Sequence, residues 1–202
     1  MITGLTPNTF KRLQLNAGVF LVNFDYAETT EAAALKALIA DAIADDKKCL
    51  GATRGGGSFE CTPATRQVEA DGMRNAFVGS TIYDGWEVKL KTTLLEATPE
   101  NFARALVCAD VETSGSVTTV KVRTSIADSD YIPSLCWVGD TARGLVLINL
   151  YNVLNQTGAT FTFTDKGEGT LPVEFLAHQA SMEDQEYAPF DIKFIDEMNE
   201  SE

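Results

Sequence analysis

The sequence contains a single histidine, His178. Catalytic triads, cysteine–histidine pairs and two-histidine metal sites would all depend on that one side chain, and no recognisable nucleophile motif accompanies it. We expect a surface or interface histidine. Paired acids occur at Asp128 and Asp130 and at Glu183 and Asp184, without the further oxygen ligands of a calcium loop. We therefore expect no enzyme activity, no metal and no cofactor.

Cysteine is also scarce. Cys49, Cys61, Cys108 and Cys136 are widely spaced and form no Cys-x-x-Cys pair. With one histidine in the chain, zinc coordination has little support. Because a free cysteine packs like a small hydrophobic residue, we expect four reduced and mostly buried thiols.

Positive charge and long apolar runs are lacking as well. Lys and Arg number 16 against 29 Asp and Glu, a formal charge of −13, which disfavours a surface that neutralises phosphates. An acidic wall would let DNA slide past without sticking, although acidity also serves solubility. No apolar run approaches the roughly 20 residues that cross a bilayer, and the N-terminus lacks a basic segment followed by an apolar one, so we expect no secretion signal. We expect synthesis in the cytoplasm and no membrane partner.

The 202 residues, 45% of them hydrophobic, suffice for one large domain with its own core. The pattern predicts an N-terminal arm or short helix over 1–16, a single β-rich domain over 17–196 and an acidic mobile tail over 197–202.

Two helices are predicted inside the β-rich domain. Apolar residues at helical spacing, including Leu35 and Ile39, predict a helix over 28–48 that either covers its own sheet or packs outside an assembly. Thr98 as the cap and Pro99 at the first helical position predict a second helix near 98–109.

The remaining pattern alternates with period two, which is typical of strands. In the segment 82–96, Trp86, Val88 and Leu90 share one face, so we expect Trp86 to lie in the core. The segment 145–151 is apolar on both faces, which suits a central strand or one covered by a neighbouring subunit. The predicted strands are 17–24, 57–62, 66–70, 75–80, 82–96, 117–124, 132–138, 145–154, 160–164, 171–177 and 190–195.

A glycine-rich motif runs from Gly51 to Glu60. It superficially resembles a phosphate-binding loop, but Gly57 stands where that loop requires lysine. Three successive glycines, Gly55 to Gly57, more plausibly allow a bend, a bulge or a close approach to another chain. Arg54 beside them is expected either to pair with a carboxylate across a subunit boundary or to remain solvated.

Together with the downstream segment Trp86 to Glu96, this motif resembles the major tail-tube protein of long-tailed bacteriophages. The resemblance also takes in the segments 16–19, 82–86, 171–178 and 188–192. It marks a set of residues as expected family-motif or inter-subunit positions: Arg54, Gly55, Gly56, Gly57, Phe59, Trp86, Lys89 and Lys91. The alanine-rich helix over 28–48 looks longer than the family's usual connection.

The resemblance implies a mainly β (α+β) fold, a β-sandwich or barrel with one or two flanking helices, similar to contractile-tail and type VI secretion tubes. Six copies would form a ring whose strands join into an inner β-barrel, and rings would stack through loops and terminal arms. The implied partners are the tape-measure, tail-tip or baseplate and tail-terminator proteins. DNA would pass through the lumen without specific binding, in the virion after assembly in the host cytoplasm.

Two other hypotheses stay open. Another virion β-protein, such as a tail terminator or capsid decoration protein, would share the composition but stop at single rings or trimers. An acidic carbohydrate- or protein-binding β-sandwich would instead be a monomer with a well-formed pocket.

Overall fold

The computed structural model describes residues 6, 9, 13, 16–24, 26, 29, 31–45, 47–142, 144–183 and 186–196. The predicted arm lies largely outside this range, and the predicted tail at 197–202 lies wholly outside it. No helix in the described part of the chain is long and apolar enough to span a membrane.

Strands dominate the described residues, which confirms a mainly β chain with two α-helices. The strands are β1 (Val19–Val22), β2 (Thr53–Gln67), β3 (Thr81–Leu94), β4 (Ala109–Ser114), β5 (Val117–Val122), β6 (Ile132–Thr141), β7 (Gly144–Asn155), β8 (Leu171–Leu176) and β9 (Phe190–Asp196). The helices are α1 (Ala32–Ala44) and α2 (Pro99–Ala105), and Asp128–Asp130 forms one 3₁₀ turn.

The main sheet folds into two antiparallel layers that share β7. The first layer has the order β1-β6-β7-β9, and the second contains β2, β3 and β8. β7 pairs with β9 up to Leu150 and then with β8 through Leu154 and Asn155. Between these pairings Asn152 adopts a left-handed φ of 48°, a conformation that asparagine tolerates better than most residues. The change of partner therefore coincides with a local break in the extended backbone.

The principal core lies between these two layers. Alternate residues of β3 and β8 face alternate residues of β1, β6 and β7, as period-two strands require. Full burial of each such side chain contributes about 1.5–3 kcal/mol. The fully buried large side chains of this core include Phe20, Val22, Val88, Leu94, Leu135, Leu150, Leu171 and Phe175.

Helix α1 covers the opposite face of the first layer. Leu35, Ile39 and Ala42 lie at helical spacing and pack in one cluster with Cys136 and Leu147 of the sheet. The structure therefore agrees with the first of the two predicted roles, in which the helix covers its own sheet. It ends at Ala44, four residues before the predicted end at 48.

The long hairpin of β2 and β3 corrects two predicted strands. The segment 66–70 is not a separate strand, because β2 continues to Gln67 and then enters a loop. The segment 75–80 belongs to this loop, where Gly72 and Gly79 have φ values of 87° and 92° that interrupt an extended chain. Residues 68–80 therefore form the tip of the hairpin.

Two further predictions were wrong. The second helix ends at Ala105 and not at 109, since Val107 has a left-handed φ of 74° and β4 begins two residues later. The segment 160–164 is not a strand: it contributes a single bridge, Thr162 to Thr170, across the turn that follows.

Candidate functional site

The glycine motif forms a bulge in β2. Between the pairs Thr53–Leu94 and Gly57–Thr92, four steps on β2 match two on β3, so two extra residues are accommodated. Gly55 and Gly56 have φ values of 75° and 71°, the left-handed region that glycine enters without steric cost. The predicted bend is therefore present within the chain.

Gly57 makes the close approach that the motif predicted, but to its own chain. A Cβ at this position would lie 2.5 Å from the carbonyl oxygen of Lys91 and 2.7 Å from the ring of Phe20. The absence of a side chain thus lets β2 pack against β3 and β1. Arg54 likewise pairs within the chain, through its Nη2, with the exposed carboxylate of Glu168. An exposed pair of this kind contributes only about 0–1 kcal/mol.

Lys89 and Lys91 belong to a network of charges on the outer surface of the second layer. Lys89 contacts Glu87 and lies 2.9 Å from Glu174. Lys91 lies 2.7 Å from Glu60 and 3.5 Å from the same Glu174. We call these five residues the charged face. Three carboxylates against two ammonium groups leave it with a net negative charge.

The ion pairs of the charged face shift the ionisation of its members. The hydrogen bond to Glu87, followed by that to Glu174, raises the pKa of Lys89. The hydrogen bond to Glu60 raises the pKa of Lys91. The hydrogen bond from Lys89 lowers the pKa of Glu174. Each shift favours the charged form, so both lysines are held by carboxylates of the same chain.

Phe59 and Trp86 occupy different environments. Phe59 packs on the principal core, with its ring centroid 5.3 Å from that of Phe190. Trp86 is 44% exposed, so the prediction of a core residue was wrong. β8 pairs with β3 only from Lys89 onward, and Trp86 therefore lies beyond the covered part of the strand. Its ring packs on Tyr83, at a centroid distance of 5.6 Å.

A cleft of about 1000 Å³ opens beside this aromatic pair. One wall is the hairpin segment 83–89, and the other is formed by residues 176–182 and 186–189, which run from the end of β8 towards β9 in the sequence. We call it the hairpin cleft. The lining includes Tyr83, Trp86, Glu87, Glu186 and Tyr187. Tyr187 is 73% exposed, so the cleft presents aromatic surface to solvent.

His178 also lines this cleft and is half-buried. The Nδ1 atom of His178 is 3.0 Å from the carbonyl oxygen of Asn152. In return, Asn152 Nδ2 donates a 3.3 Å hydrogen bond to the carbonyl oxygen of His178. The imidazole also meets the edge of Tyr131 at 5.1 Å between centroids. These contacts give the histidine a structural role at the break in β7.

The four cysteines are free thiols, as expected, but only Cys136 is buried while the other three are half-buried. Within the described residues no group of three histidine, cysteine, aspartate or glutamate side chains could hold a metal ion. Asp130 of the predicted acid pair accepts hydrogen bonds from Arg123 and from the Ala127 amide. Asp184 lies outside the described residues.

Three features of the structure were not anticipated. β4 and β5 form a separate two-stranded sheet with Val117 and Val122 exposed by 62% and 56%. Phe194 on β9 is 76% exposed. Two buried amides, Asn101 and Asn155, join separate parts of the chain. β5 falls within the predicted strand 117–124, and the short alternation of apolar and polar residues from Ala109 to Glu112 is the sequence signal that could have revealed its partner β4.

A scan against models of known protein families finds no match, and a search of curated proteins finds no relative.

Proposed function

We propose that this protein is a structural virion component that assembles into stacked hexameric rings and forms a phage tail tube through which the genome passes. The observation that carries the proposal is the second layer, in which a negatively charged outer face adjoins a long strand with an open edge. Such a layer suits a protein that joins copies of itself around a lumen.

The open edge belongs to β2. In the described part of the chain this 15-residue strand, Thr53 to Gln67, pairs only with β3. Unpaired backbone groups along an edge are a template for another strand, and closure into a barrel removes such edges. Pro63 lies within β2, as edge strands tolerate. A neighbouring copy would satisfy this edge in a ring.

The charged face has the electrostatics that a DNA conduit requires. Proteins that bind DNA tightly use lysine and arginine to displace counterions from phosphates. Here Lys89 and Lys91 are already paired with glutamates, and the face keeps a net negative charge. A surface of this kind repels the phosphate backbone and favours passage over retention. We assign it to the lumen, where it would also face the tape-measure protein during assembly.

A partly uncovered apolar strip provides the second contact surface. Val146 and Ile148 of β7 are half-buried, Ile148 where it packs against the principal core, and Ile192 and Phe194 of β9 are exposed by 41% and 76%. An apolar strip on a sheet is typical of a surface that another protein covers. This arrangement explains why the segment 145–151 is apolar on both faces. Helix α1 covers one face, and the strip lies on the other.

The hairpins suit contacts between rings or with tail-tip and terminator proteins. The sheet of β4 and β5 pairs with no other strand in the described residues. An isolated two-stranded hairpin is marginal by itself, so partner contacts would stabilise it.

Negative-stain electron microscopy and sizing chromatography over a concentration series test the proposal. We expect tubes or stacked rings with a central hole. Phe194→Asp should raise the concentration needed for assembly at least about tenfold, since a charge in an apolar contact is costly. Phe163→Asp, at a loop residue 84% exposed, is the matched control. Single rings that never stack would favour a terminator, and a monomer that fails to polymerise on added tail-tip complex would sink the proposal.

A further inference from the structure

We propose that the hairpin cleft is a binding site for a neutral oligosaccharide. This inference goes beyond the proposed tube, because binding would need only one copy of the chain. It follows from exposed aromatic rings on both walls of the cleft, from the pairing of its charges and from the polar groups that lie among the rings.

Aromatic rings are exposed on both walls. Tyr83 and Trp86 lie on the hairpin wall, exposed by 53% and 44%, and the still more exposed Tyr187 lies on the other wall. The face of an aromatic ring carries negative charge density, which attracts the weakly positive C–H groups on one face of a sugar ring. Stacking of this kind would cover aromatic surface that the fold leaves in water.

Parts of both walls are held in place within the chain. The ring centroids of Tyr83 and Trp86 lie 5.6 Å apart, at 47° between the ring planes. On the other wall, Gln179 Nε2 donates a 2.5 Å hydrogen bond to the carbonyl oxygen of Tyr187. Groups that are already fixed lose less conformational freedom when a ligand binds, which favours binding.

The charges of the cleft are mostly paired, which favours a neutral ligand. Asp84 lies 3.1 Å from the Nε of Arg66, and Glu87 contacts Lys89. Among the described residues, Glu186 is the lining carboxylate without an ion-pair partner. A cationic ligand would therefore find a single unpaired carboxylate. A polyanion such as a nucleic acid would be repelled by a chain of net charge −13.

The polar groups of the lining match the hydroxyl groups of a sugar. Each hydroxyl both donates and accepts hydrogen bonds, so it is best satisfied where donors and acceptors lie side by side. The exposed residues Gln156, Gln179 and Glu186 offer amides and a carboxylate in the lining. Aromatic surface with a small number of polar groups is the usual composition of a ligand site. A protein ligand is less suitable, because the cores of protein interfaces are depleted of charged residues.

The cleft is long enough for more than one sugar unit. Its hairpin wall, residues 83–89, extends for ~20 Å at the usual rise of a strand. Its volume of about 1000 Å³ lies at the upper end of the usual range for ligand clefts, about 300–1000 Å³. An oligosaccharide should therefore bind more tightly than the corresponding monosaccharide.

Calorimetric titration of the full chain tests the inference. The probes are linear neutral hexasaccharides of glucose, mannose, galactose and N-acetylglucosamine, each compared with its monosaccharide. We expect saturable binding of at least one hexasaccharide. Because the ligand is uncharged, raising the salt from about 50 to about 500 mM should change the affinity less than about twofold. Absence of saturable binding across these probes would overturn the inference.

Truncation of single rings locates the binding site. Trp86→Ala and Tyr187→Ala should each weaken binding at least about tenfold, since each removes a stacking surface. Tyr187 lies outside the strands and helices, so its truncation spares the fold. Phe77→Ala is the matched control, because Phe77 is 64% exposed on the tip of the same hairpin but outside the cleft. It should change the affinity less than about twofold, and equal losses in Phe77→Ala and Tyr187→Ala would refute the assignment.

Tryptophan fluorescence provides a second readout. The chain has two tryptophans, Trp86 in the cleft and Trp137, whose Nε1 donates to the carbonyl oxygen of Ala17 beside the bulge. A sugar that stacks on Trp86 should change the emission during the titration, and Trp86→Phe should abolish this change. The same change in Trp86→Phe would show that the sugar binds elsewhere and would contradict the inference.

These results are independent of tube formation, which electron microscopy decides. Tubes built from a chain that binds none of the probes would refute the sugar site and leave the tube proposal intact. Binding by a chain that never forms tubes would have the opposite meaning. If no probe binds and a photo-reactive analogue at Tyr187 cross-links to another copy in tubes, the cleft is a subunit contact and the sugar site is refuted.

Discussion

The hydroxyl of Thr92 donates a 2.7 Å hydrogen bond to the carbonyl oxygen of Gly56, and this bond ties β3 to the bulge of β2. Thr92 is a buried polar residue, 7% exposed, on a face that is otherwise apolar. Extra residues in a bulge lie outside the regular ladder, so their carbonyl oxygens need other partners. A threonine on the neighbouring strand provides one.

Thr92→Val should therefore lower the free energy of unfolding by about 1–2 kcal/mol, because the shape is kept while a partly buried acceptor loses its donor. Chemical denaturation at neutral pH measures the difference. Thr93→Val, one residue along and on the opposite face, should change the value by less than about 0.5 kcal/mol. Equal effects at the two positions would show that the hydrogen bond to Gly56 contributes nothing.

Gly57→Ala should be more destabilising than Gly55→Ala, for separable reasons. At Gly57 the new Cβ would meet the Lys91 carbonyl oxygen and the Phe20 ring, and overpacking of this kind costs about 1–3 kcal/mol. At Gly55 there is open space, and the cost is the roughly 1 kcal/mol of a left-handed backbone. Thermal and chemical denaturation of the two variants measure the order, and its reversal would contradict the close packing of Gly57.

Sequence periodicity predicted the faces of the strands but not what covers them. The alternation in 82–96 correctly placed Val88 and Leu90 in the core. The alternation failed at Trp86, because a side chain on the inward face of a strand is buried only where a second layer covers that part of the strand. The failure to predict β4 has a different, local origin, because the helical spacing through Ala109 continued past the point where Val107 turns the backbone.

The candidate site was predicted only in part, because its contacts depend on strand register. Lys89 and Lys91 could be identified from the motif, but their partners Glu60 and Glu174 come from two other strands. No local pattern relates these positions. The hairpin cleft was even harder to predict from the sequence, because it forms where β3 extends beyond the part that β8 covers.

Cys136 should be the last thiol to react with an alkylating reagent. It is fully buried beneath α1, and burial raises the pKa of its thiol, so the reactive thiolate is scarce near pH 8. Cys49 and Cys108 are half-buried and should react first. Timed iodoacetamide labelling followed by peptide mass spectrometry measures the order. Modification of Cys136 at the rate of Cys49 in native protein would contradict its burial.

Glu174→Gln should flatten the fall in stability at acidic pH. Because the lysine contacts lower the folded pKa of Glu174, its contribution is present above the ordinary glutamate value of about 4.3 and is lost as pH falls through the folded value. Urea denaturation between about pH 5 and pH 3 should give a shallower slope for the variant. Glu69→Gln, remote from the charged face, should keep the wild-type slope.

Asn155 joins four parts of the chain through one buried amide. Its Nδ2 donates to the carbonyl oxygens of Ala105 at 2.7 Å and Gly158 at 3.0 Å, and its Oδ1 accepts from the Glu174 amide at 2.9 Å. Asn155→Ala would leave these groups without their partner at a site 3% exposed. Since each unsatisfied buried group costs about 1–3 kcal/mol, we expect a loss of about 3 kcal/mol or more.

Gln156→Ala is the control for Asn155→Ala, because the neighbouring Gln156 is exposed and its side chain should matter by less than about 0.5 kcal/mol. Urea denaturation of both variants gives the comparison. Amide hydrogen exchange adds a local test, since the backbone amide of Glu174 should lose protection in Asn155→Ala and keep it in Gln156→Ala. An Asn155→Ala protein as stable as the wild type would mean that water replaces the amide, and the junction of α2, β7 and β8 would then rest on apolar packing alone.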